Sequence, residues 1–450
     1  MAMRGTARSR IDWRTLLGDP SAHVIALLVV AFAFGAGGVS HGLRNLAVQL
    51  FALLLLGFHR HAVASFLRTA PRGLVALAIA TFALPLLHAI PLPPALWQAL
   101  PGRDLVEQSL ALIGRGEAWF PLSVDRSRSL VAAASLIPPF AILALAWRLE
   151  PGRKTLIAQA IVLIALASVL LGGIQAVGNG RLGQFYAEVP DGMFVGPFAN
   201  RNSLALLLAC ALALVLMSDI ARRLSLPVRL GAAALLLLGC VVSESRSGMV
   251  LAGMVVALGF VREWLGRRGH AGRQRGIAIA GLAALTAATA LLLLNPRLTE
   301  AVDRFSTDME GSRAEIWEDG RFVFARYWPA GSGMGTFDEV FQVDETFEYL
   351  MDLRAGRAHN DYLELAIEAG IVGLILLAGW FAWTLWMAGR LPRGPDDALG
   401  RSAFLALVLF ALQSMVDFPL RNQAMLCLFA VMVAFLAGAV RTRSEAPPEP

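Results

Sequence analysis

The sequence predicts an all-α polytopic membrane protein with about twelve transmembrane helices, and three observations carry that prediction. The 450 residues are 57% hydrophobic and only 16% charged, a balance foreign to soluble domains. Their apolar residues gather in runs able to span a bilayer, separated by short links that contain arginine. Lys and Arg outnumber acids in every second link, as expected of a chain threaded back and forth across a membrane.

Taken in order, residues 1–21 are a basic segment ("MAMRGTARSRIDWR") expected to remain in the cytoplasm. A cleaved signal peptide is the competing reading, and its removal would leave an odd number of spans. Nine runs follow within 22–294, at 22–39, 43–57, 73–90, 130–149, 155–174, 203–218, 228–242, 248–262 and 276–294. Arg60, Arg68 and Arg72 lie in the link after the second run, Arg222, Arg223 and Arg229 in or beside the link after the sixth, and Arg262, Arg267, Arg268, Arg273 and Arg275 after the eighth. Two longer stretches, 91–129 and 295–369, fall on the opposite side. Three more runs (370–388, 402–416 and 422–440) complete the segment 370–440, and residues 441–450 follow as a disordered cytoplasmic tail containing the Pro-rich "SEAPPEP".

With both ends cytoplasmic, the inside holds 23 of the 39 Lys and Arg and 9 of the 33 acids, a net +14, and the outside is left at −8. This split supports an even number of spans. The basic residues are dispersed over many links, so the pI near 9.9 speaks for membrane anchoring and against nucleic acid as a partner. Cys210, Cys240 and Cys427 sit in apolar runs without metal-ligand spacing and read as small core residues.

The outer links concentrate the polar residues. In "GSRAEIWEDGRFVFARYWP", Ser312 and Glu315 form a capping box, predicting a helix from Ser312 to about Tyr327 that stops before Pro329. Arg313 then stands in the first turn, where a cation opposes the helix dipole unless an anion is bound there; a salt bridge to Asp308 or Glu310 is the alternative. Between 295 and 369 there are seven Arg against sixteen acids, so a guanidinium that is to hold an anion there needs a local reason. "VVSESRSGMV" puts Arg246 at the outer membrane boundary, to snorkel, to pair with Glu244, or to grip a pyrophosphate through its fork of donors. In "VGPFANRNSLALL", Asn200, Asn202 or Ser203 caps the following span or meets substrate, and Arg201 stands between lipid and substrate contact.

Two further stretches read as structural. "PAGSGMGTFDEVF" lacks the GK[ST] ending of a phosphate loop and reads as a turn. The acids from Asp338 to Asp352 have no ligand pattern and read as a solvated loop, so neither a metal nor another cofactor is expected. In "RAHNDYLELAIEAGIVGL", a helix starting near Asn360 puts His359, Tyr362, Leu363 and Ala366 on one face, and Gly370 marks a break before the next span. His359 then stands at the mouth of a span, where a lone histidine is either structural or a base for a hydroxyl proton.

Arg246 in "SESRSG", Arg313 in "GSRAEIW", the "GSGMGTF" turn and "HNDYLELAIEAGIVGL" together resemble the O-antigen ligase superfamily, which includes O-antigen and exopolysaccharide polymerases and some protein O-oligosaccharyltransferases. The resemblance runs from about 195 to 375. It implies a C-type glycosyltransferase architecture, a multi-pass protein of the bacterial inner membrane with a large helical periplasmic loop between spans 9 and 10. The implied donor is a glycan on undecaprenyl pyrophosphate, and the implied acceptor is a glycan, a lipid A-core or a protein. Arg246 and Arg313 resemble the arginines that hold the pyrophosphate, and His359 resembles the essential histidine; no metal or other cofactor is implied. Arg201, Asn200, Asn202, Asn360 and Tyr362 are the candidate substrate contacts. Two other classes compete: a transporter or flippase of a charged lipid, disfavoured by the scarcity of ionisable groups in the runs, and a protease pairing Ser247 with His359, disfavoured by the missing Gly-x-Ser-x-Gly elbow.

Overall fold

The computed structural model describes residues 18–444 except 39, 179–181, 221–223, 266–312, 349–354 and 392–397. The described chain is helical with one two-residue hairpin. Its helices are α1 (Pro20–Phe34), α2 (Gly42–Phe58), α3 (Arg60–Thr69), α4 (Arg72–His88), α5 (Pro94–Trp97), α6 (Asp104–Leu112), α7 (Arg126–Ser135), α8 (Ile137–Ala146), α9 (Pro151–Val177), α10 (Arg201–Met217), α11 (Leu226–Val242) and α12 (Arg246–Leu265). Residues 313–327 form α13, followed by α14 (Phe337–Asp344), α15 (Asp361–Gly389), α16 (Ala398–Gln413) and α17 (Gln423–Ser444). Pro91–Leu92 pairs antiparallel with Phe120–Pro121.

Each apolar run expected from the sequence is wholly or largely helical except 276–294, which lies outside the described residues. Among the described residues, four helical stretches are long and apolar enough to cross a membrane: Arg126–Ala146, Pro151–Val177, Asp361–Gly389 and Gln423–Val440. The pair α2 and α3, bent by 80°, makes a fifth if counted as one span, and five further apolar helices have 10–17 residues. The link expected after the second run is itself helical as α3. From Arg60 to Thr69 there is no Gly or Pro, and Val63, Phe66 and Ala70 recur at helical spacing.

The core is built around α10, which is buried from Asn202 to Leu216 and packs against α9, α11, α12 and α16. A helix apolar all round belongs inside a bundle. Contacts between helix ends fall into two sets. On one face Asp19 pairs with Arg153 at 2.7 Å, Trp147 donates to Thr69, Gln159 donates to Ile220 O, and Lys154 stands against Gly438. On the other, Asn422 donates to Ala36 O, Ala424 N donates to Gly35 O, His41 pairs with Glu188, and Asn200 donates to Asp417. Threading through alternate spans separates the same two sets, and the start of α1 lies on the same face as the end of α17.

The glycine turn at 331–335 is a junction. Arg103, 1% exposed, donates to Leu122 O and to Gly331 O; burial pushes its pKa down to about 10, partly countered by Tyr327. Val124 N donates to Ser332 O at 2.8 Å, while Ser332 N and Gly333 N donate to Ile367 O and Glu368 O, each at 2.9 Å. Gly331 has φ +86, and a Cβ there would stand 2.5 Å from Glu368 O, so backbone meets backbone where only glycine fits. The turn thus ties the 91–129 loop to α15.

Candidate functional site

The site is assembled at the start of α15. Asn360 is its N-cap, accepting from Tyr362 N at 3.0 Å and Leu363 N at 3.1 Å, which satisfies donors that the first helical turn leaves free. His359, immediately before the cap, has φ +48, a left-handed conformation that costs a side-chain-bearing residue about 1–2 kcal/mol. The helix breaks where the sequence predicts: Gly370 has φ +53 and ψ −143, and Ile371 N donates to Pro329 O at 3.0 Å.

The turn between α16 and α17 is pinned against this helix start. Asp361 N donates to Ser414 O at 2.9 Å, and Asp361 Oδ2 accepts from Ser414 Oγ at 2.9 Å and Leu420 N at 3.1 Å. Asp417 is thereby held beside His359, with Oδ1 3.5 Å from Nδ1 and a side chain only 1% exposed. Asn200 Nδ2 donates to both Asp417 oxygens at 3.2 Å. The histidine Nδ1 is buried without a hydrogen bond, so its tie to Asp417 is electrostatic at this distance. Phe418 meets the ring edge to face at 4.9 Å. The side chain is 31% exposed.

Beneath the dyad lies a buried ion cluster. Arg421 reaches Glu368 at 2.6 Å, Glu364 at 3.3 Å and Asp361 at 3.6 Å, and Arg357 reaches Glu364 at 2.5 Å. Burial alone would lower the pKa of the Arg421 guanidinium; the Glu364, Glu368 and Asp361 carboxylates outweigh it and hold the group above its ordinary value. Such a cluster stabilises little by itself, because desolvation offsets attraction, but losing one member leaves buried charge uncompensated. Glu368 also accepts from Phe337 N at 3.2 Å, so the cluster connects the glycine turn to the Asp417 turn.

The arginines stand at helix starts. Arg201 opens α10, whose cap is Asn200 Oδ1 accepting from Asn202 N at 2.8 Å. Arg246 opens α12, where Ser245 Oγ accepts from Gly248 N at 3.1 Å and donates to Asn202 Oδ1 at 2.7 Å. These two helix N-termini are therefore neighbours on the His359 face. Arg201 pairs with Glu244 at 3.6 Å, the acid that the sequence offered to Arg246, and Arg246 has interactions of its own. Arg313 begins the described part of α13 and makes no ion pair among the described residues; Ser312, Asp308 and Glu310 lie outside them. One turn on, Trp317 Nε1 donates to Ala358 O at 2.8 Å, which brings this helix face against the residue preceding His359.

The structure thus joins His359, Asn200, Asn202, Asn360 and the starts of α10 and α12, with the α13 start one helical turn from the contact at Ala358. Asn200, Asn202 and Asn360 accept local hydrogen bonds as caps or cap partners, and Tyr362 Oη donates to Ala411 O at 2.6 Å. Ser247 Oγ is 3.4 Å from Ser245 Oγ. The acids of the solvated loop are partly committed, Glu339 to Arg128 and Asp344 to Arg326, each at 2.6 Å. Sequence reasoning missed Asp417 and Arg421. Their signal is two charges flanking Pro419 in "VDFPLRN", in a link that the span count puts on the same side as His359.

No curated protein matches the chain. Residues 231–378, a segment that contains Arg246, Arg313 and His359, match the model of the family described as O-antigen ligase.

Proposed function

We propose that the protein transfers a glycan from undecaprenyl pyrophosphate to an acceptor hydroxyl at the periplasmic face of the bacterial inner membrane, without a metal. The observation that carries this reading is the His359–Asp417 pair on the face where α10 and α12 each begin with an arginine. An acceptor hydroxyl loses its proton to His359 Nε2 as its oxygen attacks the anomeric carbon. The bond from that carbon to the pyrophosphate oxygen breaks, and the leaving group keeps the electron pair. Asp417 stabilises the imidazolium and orients the ring, and a positioned base of this kind contributes about 10²–10⁴ in rate.

Charge accumulating on the pyrophosphate is met by Arg246 and Arg313. Guanidiniums offer planar, always-charged donor forks, and the free N–H groups of a first helical turn add a partial positive charge. A cation placed at a helix N-terminus is locally unfavourable, so its repetition at Arg201, Arg246 and Arg313 supports an anion as their shared partner. Arg201, already paired with Glu244, is assigned to the rim of that site. Asn200 and Asn360 act by shaping the dyad, through Asp417 and the α15 cap respectively.

The test is reconstitution of the purified protein in vesicles with a lipid-linked glycan and a panel of acceptors, with and without a chelator. One glycan moved per acceptor marks a ligase and a ladder of products a polymerase. Movement of intact donor across the bilayer with no product would make it a transporter, and loss on chelation with rescue by one ion would refute the arginine mechanism.

A further inference from the structure

The second feature of the molecule that asks for a partner is α3, on the face opposite His359. It leaves α2 at 80°, so an α2 that crosses the bilayer leaves α3 nearly in the membrane plane. Phe66 is buried against Phe140 and Trp147, with ring centroids 5.9 Å and 6.3 Å away. Trp147 Nε1 donates to Thr69 Oγ1 at 3.0 Å. Helical spacing gathers Arg60, Ala64, Leu67 and Arg68 on another stripe, and Arg60, Leu67 and Arg68 are exposed.

Among the described residues this stripe is cationic without a compensating acid. Arg60, Arg68 and Arg72 make no ion pair among the described residues; the Arg68 Nε donates only to Ala64 O, one turn back. The sequence holds no Asp or Glu between Asp19 and Asp104, and the Asp19 carboxylate is taken by Arg153. Arg72 opens α4, so the free N–H groups of that first turn add to the positive field. Exposed Arg148 follows Trp147 on the same surface, with Glu150 the nearest acid to it in sequence. Leu67 and Phe58, 44% and 63% exposed, lie among these charges. Apolar side chains between unpaired guanidiniums on a helix lying in plane are the chemistry of a bilayer surface carrying phosphate.

We propose that α3 is an interfacial helix that binds anionic phospholipid headgroups in the leaflet opposite the His359 site, with Arg60, Arg68 and Arg72 gripping phosphate and Leu67 entering the acyl layer. The inference stands apart from the glycan-transfer reading, because it uses the other face of the molecule and no residue of the site. It is tested on the full-length protein in detergent by measuring retention of phosphatidylglycerol against phosphatidylcholine by native mass spectrometry. The wild type is expected to favour phosphatidylglycerol, less so as ionic strength rises. Replacing Arg60, Arg68 and Arg72 with alanine should lower the preference by about fivefold per arginine, and replacement with lysine should keep most of it. Arg60→Ala alone leaves the packed face intact and should show about a fivefold loss even if the triple variant fails to fold. A wild type without preference, an Arg60→Ala protein with undiminished preference, or a folded lysine variant as deficient as alanine would overturn the proposal.

Discussion

Asp417→Asn is the perturbation that isolates the dyad. The carboxamide has nearly the size of the carboxylate and can still accept from Asn200, so folding should be preserved while the charge beside His359 is removed. At the observed 3.5 Å and an effective dielectric of about 20, unit charges attract by about 5 kcal/mol. The imidazole gains only part of a charge in the transition state of hydroxyl attack, so about half of that, roughly 2–3 kcal/mol, is lost from the barrier side, or about 30- to 150-fold in turnover. The assay is steady-state transfer by reconstituted protein, beside direct measurement of donor binding. Turnover should fall by that factor while donor affinity stays within about threefold, since the dyad acts in the chemical step. Turnover within threefold of wild type in a folded Asp417→Asn protein would refute the dyad. Loss of donor affinity in parallel with turnover would move Asp417 from positioning the base to holding substrate.

Three other outcomes follow from the same geometry. Gly370→Ala puts a Cβ 2.0 Å from Pro329 O at φ +53 and should destabilise the protein by about 2 kcal/mol or more, read as a lowered melting temperature in detergent. Arg246→Lys keeps the charge and loses the planar fork, so transfer should drop well beyond the effect of a surface substitution, and Arg313→Ala should weaken donor binding without lowering the melting temperature. A cysteine at Glu348 should react with an impermeant thiol reagent from the outside of membranes of known sidedness and one at Gly152 should not; the reverse pattern would invert the orientation.

The sequence exposed what is local and left hidden what is distant. The N-cap at Asn360, the break at Gly370 and the stop of the 313–327 helix before Pro329 are signals confined to one turn of chain, and all three are present. Asp417 meets Asn200 and His359 across 217 and 58 positions; no periodicity or spacing reports such a meeting. Arg421 was invisible for the same reason, although its charge in an apolar stretch is costly enough to have asked for partners. The asparagines show a different limit. A polar residue at the start of a span satisfies a cap and a substrate contact equally well by type, and only the distances from Asn360 Oδ1 and Asn200 Oδ1 to backbone amides identify them as caps. At α3 the arginines mark a link between two runs, while the recurrence of Val63, Phe66 and Ala70 marks the helix within it.

In the proposed reaction His359 takes the acceptor proton as the glycan leaves a lipid pyrophosphate. The most direct measurement of that step is release of undecaprenyl pyrophosphate, coupled to glycosylated acceptor, by wild-type and His359→Ala proteins reconstituted side by side with equal donor occupancy. Stoichiometric release is expected from the wild type, with a loss of at least about 10²-fold in the variant at unchanged donor binding. Near-normal release by His359→Ala would contradict this role of His359.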